Sequence, residues 1–126
     1  MKDNLDGTTK YSMEITVYIK KDNQEIIPDI KEYFQTKYCF PKNNWRTWEH
    51  SSIQLTVMFN ACLDDISDDF KKLMVKYPDA DFKASLTYGE RFDENTGLQW
   101  WDSFTLRTAE KDSKKVLTSY SESFWN

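Results

Sequence analysis

Histidine occurs once in the 126 residues, glycine and proline three times each, and cysteine twice. Each scarcity removes a class of chemistry. Gly7, Gly89 and Gly97 stand too far apart for a GxGxxG turn or a phosphate-binding loop, where glycine lets backbone amides close on phosphate. His50 alone cannot build a histidine metal site, an HExxH helix or a relay between imidazoles. Cys39 and Cys62 form no CxxC pair, so neither a zinc knuckle nor a thioredoxin-type motif is present. No apolar run approaches the roughly 20 residues that cross a bilayer. Residues 1–10 are polar and lack the apolar stretch of a secretory signal. The expectation is a cytoplasmic chain with reduced thiols, no metal and no cofactor. A disulfide forms only if the fold brings the two cysteines together. One domain is expected over 11–126, behind a flexible leader at 1–10.

What the sequence does have is aromatic side chains, 16% of residues with five tryptophans, and a net charge of −4. The charge is uneven. Residues 1–63 hold 8 basic and 8 acidic side chains, while 64–126 hold 9 and 13, so the whole excess lies in the second half.

Periodicity orders the chain. Tyr11, Met13, Ile15, Val17 and Ile19 alternate with Ser12, Glu14, Thr16, Tyr18 and Lys20, which predicts a half-buried strand. Ile26, Ile27, Ile30, Tyr33, Phe34 and Tyr38 share one helical face, with Pro28 in the first turn and Pro41 beyond the end. Residues 41–52 form an aromatic loop with Trp45, Trp48 and His50 that can extend into a strand. Ile53, Leu55, Val57 and Phe59 predict a second strand. Leu63, Ile66, Phe70, Leu73, Met74 and Tyr77 predict a second helix, capped by Asn60 or a nearby Asp and stopped by Pro78. Strands over 82–88, 98–107 and 116–124 follow, joined by turns at 91–97 and 109–115, with Leu98 and Trp100 directed inward. The order β-α-β-α-β-β-β predicts an α+β two-layer sandwich, with two helices on one face of a mainly antiparallel sheet and the other face wet.

The segment Lys76-Tyr77-Pro78-Asp79-Ala80-Asp81-Phe82, running on through Tyr88-Gly89-Glu90 after a strand that ends at Phe59-Asn60, resembles the small phage- and plasmid-borne proteins with a YubB-type ferredoxin-like domain. Trp45 and Trp48 stand before the central strand as that family's tryptophan-containing segment does. The chain departs from the pattern at Cys62-Leu63-Asp64-Asp65, at the charged turn 91–97, and in its last strand, which has no counterpart. The resemblance implies a ferredoxin-like fold and a mobile-element origin. It implies no activity.

Candidate functional residues are few. Asp64, Asp65, Asp68 and Asp69 make an acidic helix stretch. Read functionally, it is a cation site or a nucleic-acid mimic. Read structurally, it is a favourable helix N-terminus and a solvated outer face, with Asp68 paired to Lys72. Asp93-Glu94-Asn95-Thr96-Gly97 fails as a calcium loop, because Phe104 stands where the bidentate Glu belongs. Cys39 and Cys62 read as small buried hydrophobes. The tryptophans remain, since Trp buries a large rigid area and keeps one donor. The leading expectation is a non-enzymatic interaction module with a protein partner, of inhibitor, anti-defence or immunity type. It would use Tyr18, Trp45, Trp48, Trp101, Trp125, Asp65 and Asp69. The alternative is a single-stranded nucleic-acid binder using the open sheet face, with Tyr18 and Trp101 stacking and Lys20, Lys83 and Arg107 contacting phosphate. The oligomeric state stays open.

Overall fold

The computed structural model describes residues 5–125, with only the backbone described for Trp125. The alternation of residues 11–20 becomes β1 (Lys10–Ile19). A 3-10 turn over Lys21–Ile26 leads into α1 (Ile27–Tyr38), with Pro28 in its first turn, where a missing amide costs nothing. The aromatic loop contains a short strand, β2 (Arg46–Glu49), and β3 (Ile53–Cys62) follows. α2 (Leu63–Lys76) ends before Pro78. β4 (Asp81–Phe92), β5 (Gln99–Lys111) and β6 (Lys114–Trp125) complete the described chain.

The six strands form one antiparallel sheet in the order β2-β3-β1-β4-β5-β6. β1 lies at its centre. Val17 pairs with Leu55 on one side and Phe82 on the other, and Ile15 with Val57 and Ala84. Because side chains alternate faces, this register gathers Met13, Ile15, Val17, Ile19, Leu55, Val57, Phe59, Phe82, Ala84 and Leu86 on one side. Ile30 and Phe34 of α1 and Ile66, Phe70 and Leu73 of α2 complete the core there. Phe34 meets Phe59, and Phe70 meets Phe82, at ring separations of 6.1 and 5.6 Å. The α+β architecture with two helices on one face is therefore as the pattern predicts.

Several local expectations change. The leader expected over 1–10 is anchored from Leu5 onward: Leu5 packs against the core, and the Gly7 carbonyl accepts a hydrogen bond from the Asp64 amide at 3.0 Å. That carbonyl serves the helix N-terminus, where the N-cap is Cys62 rather than Asn60 or an Asp and no side chain caps. A Cβ on Gly7 would lie 2.2 Å from the Asp64 carboxylate, so a larger residue there requires the exposed Asp64 side chain to turn away. The turn expected over 109–115 shrinks to Asp112 and Ser113, both left-handed (φ 53° and 65°), the geometry that matches strand twist in a two-residue hairpin. Leu98 lies outside β5 and is exposed, because the chain is still in the β4–β5 turn that Asp93 and Gly97 close. Trp100 is half-buried outside the core, with the Arg91 guanidinium 5.4 Å from its ring. Cys39 is exposed and Cys62 half-buried, both as free thiols, because they sit at the ends of α1 and β3 rather than under them.

Cys39 caps α1 in the left-handed conformation (φ 56°, ψ 52°), where a side chain is strained. Cys39→Gly is expected to raise stability by about 1 kcal/mol. Urea unfolding checks this, and an unchanged or lower midpoint would show that the Sγ contact to the Thr36 carbonyl offsets the strain.

Candidate functional site

Among the described residues no element covers the sheet side away from the helices. Its residues fall into rows across the strands. One row runs Arg46, Thr56, Thr16, Lys83, Arg107 and Thr118 over all six strands. At about 4.8 Å per strand, Arg46 and Arg107 lie roughly 19 Å apart. Beside it run Trp48, Gln54 and Tyr18 on one flank and Met58, Glu14, Ser85, Thr105 and Tyr120 on the other. Trp101 and Phe124 form a stacked pair at 6.0 Å toward the far end. Trp48, Met58, Tyr120 and Phe124 are exposed, while Thr16, Thr56 and Thr105 form a buried floor. The Lys83 ammonium lies 5.8 Å from the centre of the Tyr18 ring, a cation–π distance.

Alternation places Arg46, Lys83, Arg107, Lys111 and Lys114 on this side, against Glu14, Asp81 and Glu122. Asp81 is moreover engaged by Lys115 at 3.2 Å. The face is thus basic in a chain whose total charge is −4. Lys20 stands with Arg107 in a cavity of about 390 Å³ at the end of the sheet, which Asp79, Asp81 and Glu110 also line.

Tyr18, Trp48, Trp101, Lys83 and Arg107 therefore belong to one face, and Lys20 to its margin. Trp45, Asp65 and Asp69 separate from it. Trp45 is 8% exposed and belongs to the core: it packs edge-on to Phe34 and Phe40, and its Nε1 donates to Gln35 Oε1 at 3.0 Å. The physical reason is strand alternation, which turns Arg46 and Trp48 outward and the preceding Trp45 inward. Asp65 is exposed in the first turn of α2, in the helical layer. It lines a cavity of about 310 Å³ with Lys10, Lys37 and Cys39. The Trp125 side chain lies outside the described residues. Asp69 is the largest departure from a wet acidic stretch.

Asp69 is 0% exposed. Its carboxylate accepts hydrogen bonds from Tyr33 Oη and Lys37 Nζ, each at 2.5 Å, and from Tyr38 Oη. The bonds tie α2 to α1, so Asp69 is a clamp and offers nothing to a partner. Burial, and then the hydrogen bond and negative charge of Asp69, hold both phenols well above the usual tyrosine range. The expected ion pair of Asp68 with Lys72 does not form among the described residues. On the same side of the sheet, Arg91 contacts Asp102 at 3.3 Å, and Ser123 Oγ donates to Asp102 at 2.7 Å, joining β4, β5 and β6. Among the described residues no three His, Cys, Asp or Glu side chains gather as a metal site, and no helix is long and apolar enough to cross a membrane.

Arg46, Tyr120 and Phe124 were not expected at the site, whereas the alternation through 53–60 already places Met58 on the open face. Arg46 carries a visible signal too, the alternation through 45–49. Tyr120 and Phe124 alternate with polar residues in 116–124, but only the pairing of β6 with β5 aligns them with Thr105 and Trp101. No protein-family model matches the chain, and comparison with curated proteins and with solved structures found none that matches.

The clamp makes an alkaline prediction. The folded-state phenols of Tyr33 and Tyr38 titrate above their unfolded values, so their contribution is complete below about pH 10 and is lost as pH rises beyond it. The melting temperature is expected to fall between pH 10 and 11.5, and less steeply in a Tyr33→Phe/Tyr38→Phe variant; equal slopes would refute the assignment. Asp69→Ala strands three donors, and chemical denaturation should show a loss of about 3–5 kcal/mol.

Proposed function

We propose that this chain is a non-enzymatic binding module of ferredoxin-like type whose uncovered sheet face takes single-stranded nucleic acid. One observation carries the reading: Arg46, Lys83 and Arg107 lie in one row between aromatic flanks, on a basic face of an acidic protein. Phosphates bind the row by charge, and bases stack on Trp48, Tyr18 and Tyr120, because every base offers a π-face. The acidic side chains on α2 and in the loops keep the opposite side from competing for the same strand. The succession β1-α1-β2-β3-α2-β4 with β2-β3-β1-β4 adjacent supports the ferredoxin-like assignment, with β5 and β6 as an extension. The resemblance of residues 76–90 to phage- and plasmid-borne proteins supports a mobile-element origin, and two free thiols suit a reducing cytoplasm.

Fluorescence anisotropy with a 12-nucleotide oligothymidylate at low salt tests this. Binding should weaken with salt by about 0.7 log units per log unit for each phosphate contacted. Lys83→Glu/Arg107→Glu should weaken it at least tenfold, and Trp48→Ala by the ~1–3 kcal/mol of one stacked base. Absence of binding at low salt would exclude the reading, since charge contacts are strongest there.

A second reading, a protein partner of inhibitor or anti-defence type, is favoured by β6. It is 12 residues long and lies at the sheet edge, where its outer backbone groups can pair with a strand of another protein. Here the chain should capture one host protein stoichiometrically. A proline at Ser119 or at Tyr120, one of which directs its N–H away from β5, should abolish capture while circular dichroism stays native. Capture by both proline variants would sink this reading.

A further inference from the structure

At the β2 end of the open face the turn before β2 curls beside the sheet and closes a cavity of about 420 Å³. That is within the range of small-molecule sites, roughly 300–1,000 Å³. Its polar lining is Glu14, Asn43, Asn44, Arg46 and Thr56, with Trp48 as the aromatic wall. Thr56 is only 7% exposed, and its Oγ1 has no hydrogen-bond partner among the described residues. Buried hydroxyls are nearly always paired, and Thr56 lines the cavity, so a turn of its side chain toward that space would give a ligand atom an unpaired hydroxyl to meet. Glu14 and Arg46 form no salt bridge among the described residues, which leaves an acceptor and a donor facing the same space.

The donor and acceptor set is selective. A carboxylate only accepts, a guanidinium only donates, and the two asparagine amides and the Thr56 hydroxyl do both. Of the bases, only guanine presents two adjacent donors, its ring N1–H and its amino group, next to an acceptor oxygen. Adenine and cytosine turn a ring acceptor toward a carboxylate, and thymine flanks its single donor with two acceptors. Trp48, 44% exposed, supplies a stacking surface at the cavity wall. We propose that this cavity is a guanine-selective subsite for one base of the strand. The proposal rests on the nucleic-acid reading of the sheet face. In it Glu14 accepts from N1–H and the amino group, the O6 oxygen is met by Arg46 or an asparagine amide, and Thr56 Oγ1 gains its missing partner.

The test uses 12-nucleotide oligothymidylates carrying one central guanine, adenine or hypoxanthine, measured by anisotropy on the full chain. The guanine strand should bind at least tenfold tighter than the adenine strand. The hypoxanthine strand, which lacks only the amino group, should fall between them. Glu14→Gln should erase the guanine-to-adenine ratio while oligothymidylate affinity changes less than about threefold. Thr56→Val, which keeps the shape and removes the hydroxyl, should lower the ratio. Glu14 is exposed, so its variant tests the proposal even if the Thr56 variant does not fold. Equal affinity for the guanine and adenine strands, with oligothymidylate still bound, would overturn the subsite and leave the interface standing. Binding of no strand would overturn both.

Discussion

Every other feature follows from the two sides of β1 meeting different media. Its odd-numbered residues are apolar and meet helices, while its even-numbered residues are mostly polar and meet none. Because the strand lies between β3 and β4, its register sets theirs, and a slip of one residue would move the whole core into water. β2 and β5 pair onto β3 and β4, and β6 onto β5, each inheriting the same division. The rows on the open face are thus a by-product of the pairing that builds the core. That is why one row can hold Arg46, Lys83 and Arg107, basic residues distant in sequence, among its threonines.

The helical layer depends on a polar contact inside an apolar frame. Ile30, Phe34, Ile66, Phe70 and Leu73 pack on the sheet, but the link between α1 and α2 includes Asp69 with Tyr33, Lys37 and Tyr38. A buried carboxylate is tolerated only when its charge is met and its lone pairs are occupied. Here one ammonium and two phenols supply both. The arrangement also removes Asp69 from the exposed acid of α2, so the acidic surface is smaller than a count of aspartates suggests.

Charge is segregated by layer rather than by position in the chain. Summed by halves, the sequence is neutral and then acidic. Folded, strands from both halves bring lysines and arginines to the open face, and much of the acid stays on α2 and in loops. The sign of the total charge therefore does not give the sign of either side. The same folding separates the tryptophans into Trp45 in the core, and Trp48 and Trp101 on the open face.

The sequence by itself determined most elements and the division of faces. Period two in 11–20, 53–59 and 82–88, and the helical stripes of 26–38 and 63–77, are local patterns, so side-chain direction could be read from them. Glu14, Tyr18, Thr56, Met58, Lys83, Trp101 and Arg107 were legible as open-face residues for that reason. Tertiary structure alone decided the strand order, the fate of Trp45, the burial of Asp69 and the alignment of Arg46 with Lys83 and Arg107. Strand order depends on which hydrophobic edges meet, and periodicity carries no information about neighbours. Asp69 falls on the inner side of α2 among aspartates that do not, and only the approach of two phenols and an ammonium from α1 makes that position tolerable. The cavity at Thr56 is likewise a product of three strands and one turn, none of which contains it alone.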